Sequence, residues 1–348
     1  MSERNEIEKI QLKSMRLSEM QDWFVSIGEK RFRGTQAFAR IYTGISQFSE
    51  ITEFPEKLRR RLEEEAEINS VKMLKKQLSA KDGTRKYLFE VAGGHAIESV
   101  FMKYKYGNTA CISSQAGCRM GCAFCASGLN GLERNLTAGE IVDQIIAMQT
   151  DTAERIGHVV VMGTGEPFDN YDELIKAIEI LHEEKGLNIS LRNITVSTCG
   201  LLKGIERFSK DMPQVNLAVS LHAANRDRRR ELMPVARSYE MEDLIDTCKA
   251  YTQATHRRIT FEYALIAGVN DTDEDTAALA KLLRGMLCHI NLIPLNNVSE
   301  NSFSGTPREN AKRFAQLLSE KGIQVTVRRE LGSDISAACG QLRLTAGR

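Results

Sequence analysis

The sequence predicts an α/β protein whose body is a partial (β/α)6 barrel, preceded by a small helical domain and a linking β-hairpin. Three observations predict it. From Ala110 onward, apolar β-branched runs alternate with amphipathic stretches at regular spacing. Residues 1 to about 75 are charged and helix-patterned instead. Between these regions, two strand-like runs flank a Gly-Gly step. Strand–helix repetition implies parallel strands joined by helical crossovers.

The elements follow in order. Helices are expected at Leu17–Gly28, Thr35–Tyr42 and Pro55–Glu67. The third carries KLRRRLEEEAE, which reads as a solvated face of alternating charge, with RNA contact as the alternative. Strands at Lys86–Val91 and Ala96–Tyr104 around Gly93-Gly94 form the hairpin. Barrel strands are expected at Ala110–Ser114, His158–Met162, Asn193–Ser197, Val215–Leu221, Arg258–Leu265, Cys288–Leu295 and Gln324–Val327. Helical stretches at Ala138–Thr150, Tyr171–Glu184, Met241–Gln253, Asp273–Leu287 and Arg308–Lys321 connect most of them. About six βα units result, fewer than the eight of a closed barrel. The expected division is residues 1–80 helical, 81–106 hairpin and 107–348 barrel with its C-terminal segment.

Composition narrows the function classes. A chain 42% hydrophobic and 27% charged is that of an ordinary soluble protein. No apolar run approaches membrane-spanning length, and the MSERNEIEKI start is charged where a signal peptide is apolar. The expected setting is the cytoplasm, without membrane association, and the expected state is a monomer. There, clustered cysteines more often mean metal or catalysis than structural bridges. A net charge of +1 means that any nucleic-acid contact must come from local patches. Arg226, Arg228, Arg229 and Arg230 form one candidate; Arg328 and Arg329 form another. Mere solvation is the alternative for both.

Chemistry concentrates in a few motifs. Cys118, Cys122 and Cys125 stand at C-x3-C-x2-C spacing after a short apolar run. Four thiolates normally hold a four-iron cube, so three leave one iron open to a ligand. A zinc site wants a fourth ligand, and disulfides remain a further alternative. In parallel α/β folds, chemistry gathers at the C-terminal ends of the strands. Here those ends carry Gly163-Thr164-Gly165-Glu166-Pro167, Ser197-Thr198, Ser220-Leu221-His222 and Pro294-Leu295-Asn296. Glu166 could accept hydrogen bonds from a cationic amine, though an ordinary turn explains the glycines equally well. Ser197 and Ser220 could bind a ribose or carboxylate, or simply cap helices. His222 could be a base or a structural histidine; His158 and His289 read as core. Cys111 and the distant Cys339 could alternate as nucleophile and resolving thiol, against the plainer reading of inert buried cysteines. Cys199, Cys248 and Cys288 show nothing beyond that plainer reading.

The CxxxCxxC loop resembles the radical S-adenosylmethionine (SAM) superfamily. The segments CISSQAGC, VVMGTGEP, TVSTCG, VSLHA, NLIPLN and DISAACGQL resemble one family within it, the RlmN-type dual-specificity RNA adenine carbon-2 methyltransferases. The likeness runs from about residue 15 to residue 342. It implies a 4Fe-4S cluster on Cys118, Cys122 and Cys125, with SAM chelating the open iron. It also implies SAM contacts from Gly165, Glu166, Ser197, Ser220, Leu221, His222 and Asn296. Cys339 would take a methyl group from one SAM. A second SAM, cleaved to a 5′-deoxyadenosyl radical, would remove a hydrogen from that methyl. The carbon radical would add to adenine, Glu98 would accept the carbon-2 proton, and Cys111 would release product through a transient disulfide with Cys339. Met162 matches a methionine linked to this chemistry, with core packing as its alternative. The implied substrates are 23S rRNA in the peptidyl-transferase loop and adenosine 37 of tRNA, with flavodoxin or ferredoxin as electron donor.

Departures from the family pattern are few. Thr164 replaces a common methionine and Asn297 a common proline; neither bears a catalytic group. Related antibiotic-resistance enzymes that methylate adenine carbon 8 tend to have alanine after the matching glutamate, where this chain has Pro167. The carbon-8 enzyme is the alternative activity, and a non-catalytic metal-holding RNA-binding module is the alternative of another class.

Overall fold

Ten strands form one sheet in the computed structural model, which describes residues 9–296 and 303–337. The chain opens with a short strand, β1 (Ile10–Gln11), followed by helices α1 (Leu17–Ser26), α2 (Arg31–Ile41) and α3 (Glu56–Glu65). Strand β2 (Ala66–Glu67) then pairs parallel to β1. Helices α1 and α2 meet closely because Gly34 lacks a side chain: a Cβ there would lie 2.6 Å from Gln21 Cα. Phe24, Phe38, Ile41 and Leu62 are fully buried and continue into the core of the main sheet. A buried Lys13–Asp143 ion pair ties this module to the barrel. Asp143 also accepts from the Ser70 and Val71 amides at 2.7 and 3.0 Å. Along α3, Arg60 and Arg61 pair with Glu56 and Glu65 one turn away, at 2.5 and 2.7 Å. These are the pairs of a solvated helix face.

Strands β3 (Lys72–Leu78), β4 (Arg85–Val91) and β5 (His95–Tyr104) run antiparallel. The β4–β5 connection turns at Gly93 and Gly94, with φ of 79° and 75°, a conformation that favours glycine. Strand β3 departs from the sequence reading, which counted that stretch with the helical module. It is an edge strand carrying Lys72, Lys75 and Lys76, exposed at nearly every position, and lysine-rich edges resist unwanted pairing.

The barrel starts at β6 (Gly107–Ile112). The short hairpin β7 (Gln115–Gly117) and β8 (Leu132–Asn135) follows, and then helix α4 (Ala138–Thr152). Strands β9 (His158–Val161), β10 (Ile194–Thr198), β11 (Asn216–Ser220), β12 (Ile259–Leu265), β13 (Cys288–Pro294) and β14 (Val325–Val327) add in order, each parallel to the last. Helices α5 (Tyr171–His182), α6 (Leu202–Asp211), α7 (Arg226–Leu232), α8 (Met241–Thr255), α9 (Asp273–Leu282) and α10 (Arg308–Glu320) lie between them. Capping boxes at Thr137/Glu140 and Thr272/Asp275 start α4 and α9. The result is the partial (β/α)6 barrel that the sequence predicts, with β14 as a short seventh strand.

The sheet does not close, because β3 and β14 are its two edges. A C-terminal strap, residues 331–337, crosses the seam. Asp334 accepts from Ser79 Oγ at 2.7 Å and from the Ala80 amide at 2.9 Å. The Gly332 amide donates to Asp82 at 2.9 Å, and Lys86 Nζ donates to the Ser336 carbonyl at 3.1 Å.

Candidate active site

The site assembles at the C-terminal ends of the parallel strands. Where β9 ends, the Gly163 amide donates to the Ile112 carbonyl at 3.0 Å, and a Cβ at Gly163 would lie 2.6 Å from Ser113 Oγ. Ser113 Oγ accepts from the Thr164 amide at 2.8 Å and donates to the Glu98 carbonyl at 2.6 Å. Gly165 has a φ of 110°, and any Cβ there would lie 2.6 Å from Gln115 Cβ. The two glycines therefore let the β9 loop lie directly on the segment leading to the cysteines.

Glu166 is buried at this junction. Its oxygens accept from the Cys199 amide at 2.7 Å and the Phe168 amide at 3.1 Å, and its own amide donates to Gln115 Oε1 at 2.8 Å. Burial pushes its carboxyl above the usual range despite these donors. Its field reaches the Cys118 and Cys122 sulfurs. A cationic ligand group would relieve this desolvated acid.

The cysteine loop packs on the far strand ends. Phe124, between Cys122 and Cys125, meets His222 edge to face, with ring centroids 4.7 Å apart. Both belong to one neighbourhood with the apolar cluster of Phe124, Cys199, Ala223, Ala264 and Leu295, against which Cys122 and Cys125 pack. The Ala123 amide donates to the Leu232 carbonyl at 2.9 Å and the Cys118 amide to the Gly131 carbonyl at 2.8 Å. The sulfurs of Cys118, Cys122 and Cys125 feel one another electrostatically, and burial pushes Cys118 up to about 12 and Cys122 higher still. Among the described residues, no three His, Cys, Asp or Glu side chains converge on a single metal ion.

His222 has a φ of 54° and is buried. Burial, with the charge of Arg229 adding to it, depresses its pKa to about 3. Its Nδ1 accepts from the Ala264 amide at 2.9 Å, so the neutral ring carries its proton on Nε2. His222 is thus a fixed donor at the strand end, which disfavours the general-base reading. Ser197 and Ser220 are half-buried at the ends of β10 and β11. Neither caps a helix: Leu201 precedes α6, and Asn225 caps α7. Leu221 is fully buried, its amide donating to the Glu262 carbonyl at 3.0 Å. Asn296 follows β13, half-buried.

A second neighbourhood adjoins the first. A cavity of about 490 Å³ is lined by Cys111, Met162, Asn296, Arg328, Leu331 and Ala337, among others. Val100, Met102 and Tyr104 of β5 line it as well, so that the alternate residue Glu98 lies on the same face of that strand. Val100 stands opposite Cys111 across the β5–β6 ladder. Cys111, Met162, Leu331, Ile335 and Ala337 share an apolar cluster. Cys339 itself lies outside the described residues. No disulfide joins any two of the seven described cysteines. Burial raises Cys248 to about 12 and Cys288 to about 11, in keeping with inert thiols.

One reading of the sequence is corrected. Arg229 belongs to no surface patch, being only 2% exposed. Arg226 and Arg230 both pair with the single Glu240 carboxylate, at 2.8 and 2.9 Å, which offsets one of their two charges. Sequence reasoning also missed the polar scaffold beneath the loops. Gln144 is fully buried, accepting from Ser99 Oγ at 2.7 Å and the Ser113 amide at 2.8 Å. Lys86 lies 3.3 Å from Glu98. Ser113 and Gln115 did stand in a recognised segment, CISSQAGC, but Lys86 and Gln144 carry no local signal.

Comparison with known proteins agrees with this geometry. The Radical SAM superfamily profile matches residues 112–280, and the ribosomal RNA large subunit methyltransferase N-terminal domain matches residues 10–68. A probable dual-specificity RNA methyltransferase RlmN from Alkaliphilus oremlandii is 51% identical over 97% of this chain and 98% of its own. One from Desulforamulus reducens is 50% identical over 98% and 97%. A crystal structure of a radical SAM methyltransferase from Sphaerobacter thermophilus superposes with a TM-score of 0.93 at 43% identity, covering 96% of this chain and 99% of that one. With a thiolate triplet, a strand-end pocket and likeness along almost its whole length, this chain belongs to the RlmN family of radical SAM RNA methyltransferases, which use a 4Fe-4S cluster and SAM.

Proposed function

We propose that this protein methylates carbon 2 of an adenosine in the peptidyl-transferase loop of 23S rRNA and of adenosine 37 in tRNA, consuming two SAM per product. One observation carries the reading: the cavity that adjoins the cysteine loop gathers Cys111, Met162, the Glu98 face of β5 and the strap leading to Cys339. Carbon 2 of adenine is electron-poor, so simple attack on a SAM methyl is unfavourable, and a protein-tethered carbon radical avoids that barrier. When bound, the cluster on Cys118, Cys122 and Cys125 supplies the single electron that splits SAM. Gly165, Glu166, Ser197, Ser220, Leu221, His222 and Asn296 would hold SAM. Cys339 carries the methyl group, Glu98 takes the carbon-2 proton, and Cys111 attacks Cys339 sulfur to free the product. Met162 lines the same wall.

Residues 1–80 serve as the RNA-contacting accessory part, 81–106 as the linker and 107–348 as the catalytic core. Flavodoxin or ferredoxin supplies electrons to a cytoplasmic monomer. No helix among the described residues is long and apolar enough to cross a membrane. The target base must be unpaired or flipped to enter the cavity. Pro167 after Glu166 favours carbon 2 over carbon 8. The test is anaerobic incubation of the reconstituted protein with methyl-labelled SAM and an rRNA or tRNA fragment, followed by mass spectrometry of the nucleosides. The expected product is 2-methyladenosine; an exclusively 8-methyl product overturns the proposal.

A further inference from the structure

We infer that Arg229 is the counter-charge to the 4Fe-4S cluster, a positioning residue that makes the cluster easier to reduce. Helix α7 carries four arginines, and three of them pair with carboxylates: Arg226 and Arg230 with Glu240, and Arg228 with Glu231 at 3.6 Å. Arg229 differs. It is 2% exposed and forms no ion pair with a carboxylate among the described residues. Its Nη2 donates to the Cys199 carbonyl at 2.9 Å and the Ser220 carbonyl at 3.3 Å, while its buried Nε has no hydrogen-bond partner there. A buried cation without an anion is strongly unfavourable, so the fold must supply negative charge nearby.

The anion that Arg229 would meet in the loaded protein is the cluster-bound thiolate of Cys122, since burial pushes the Cys199 and Cys248 thiols up and keeps them neutral. The electrostatic partners of Arg229 are Cys199, Cys122 and Cys248. Only Cys122 of these belongs to the cysteine triplet, and the same short helix grips that loop through the Leu232 carbonyl, which accepts the Ala123 amide at 2.9 Å. Arg229 also spans the carbonyls that follow β10 and end β11, next to Ser197 and Leu221. Three thiolates give the loaded cube a net negative charge, and one added electron makes it more negative. A fixed guanidinium stabilises the reduced form more than the oxidised form, so the potential rises. The inference rests on the cluster alone and is indifferent to which adenine carbon is methylated.

Redox titration of the anaerobically reconstituted full chain, followed by electron paramagnetic resonance, tests it. At a fixed potential, R229Q should show a reduced-to-oxidised ratio at least tenfold below wild type, which for a one-electron couple is a midpoint about 59 mV lower. R229K, which keeps the charge, should stay within about threefold of wild type. Equal midpoints for R229Q and wild type overturn the inference, as does R229K falling as far as R229Q. Should R229Q fail to take up a full cluster, citrulline at position 229 keeps the donors without the charge and is judged by the same tenfold criterion. Cluster loss in both neutral variants with R229K loaded supports charge compensation; loss in all three shows a backbone clamp and overturns it.

Discussion

The Lys86 ammonium lies 3.3 Å from the Glu98 carboxylate and donates to the Ser336 carbonyl at 3.1 Å. Both side chains are buried. One cation thereby joins the proposed proton acceptor to the strap that precedes Cys339. Replacing Lys86 by Met removes that charge from beside a buried acid and should destabilise the fold by about 3 kcal/mol. Adding Glu98→Leu should restore most of the loss. Urea denaturation of the single and double variants measures both, and additive losses would contradict the pairing.

The proposed thiol pair makes separate predictions. Cys339→Ala should bind SAM and hold its cluster yet acquire no labelled methyl; a labelled methyl on this variant would count against the carrier role. Cys111→Ala should accept the methyl and then trap RNA covalently, because release needs the second thiol. A denaturing gel with labelled RNA reads this directly, and free product at the wild-type rate would remove Cys111 from the mechanism.

Gly165 tests the loop geometry independently of catalysis. Its φ of 110° and the 2.6 Å approach of a Cβ to Gln115 Cβ leave no room for alanine. Gly165→Ala should cost about 1–3 kcal/mol in stability and weaken SAM binding. Thermal unfolding with and without SAM would show both effects, and a wild-type melting temperature would refute the geometry.

His222 should leave a mark on the pH dependence of stability. Its pKa is held at about 3 by burial, with Arg229 adding to the effect, whereas an unfolded histidine titrates near 6.5. Below about pH 6.5 the unfolded chain takes up a proton that the folded chain refuses, so stability falls as pH falls through that window toward 3. Between about pH 7.5 and 5.5 this contributes a loss of about 1.4 kcal/mol. His222→Asn should lose that much less over the same interval. Identical pH slopes in chemical denaturation would mean that His222 titrates normally in the fold.

The barrel was legible because its strands are short runs rich in apolar and β-branched residues, such as His158–Val161 and Asn216–Ser220, separated by amphipathic stretches. Edge strand β3 was not, since Lys72, Lys75 and Lys76 mask it and its positions do not alternate between buried and exposed. At the site, cysteine spacing and strand-end motifs pointed to Cys118, Glu166 and His222, which the fold brings to the strand ends. Charge alone misplaced Arg229, because nothing local distinguishes a buried arginine from the exposed Arg226 and the half-buried Arg228 and Arg230 on the same helix. Lys86 and Asp334 escaped notice for a related reason. Their partners lie 250 and 255 positions away, and only folding brings them together.

The open seam between β3 and β14 has a consequence for how the protein is made. Every strand of the sheet leaves the ribosome before residues 331–337, so the barrel can pack while its last wall is still being synthesised. Residues 331–337 reach the neighbourhood of Cys111 only once Asp334 has found Ser79. A chain terminated before residue 331 should therefore fold its sheet yet lack the wall that completes the cavity.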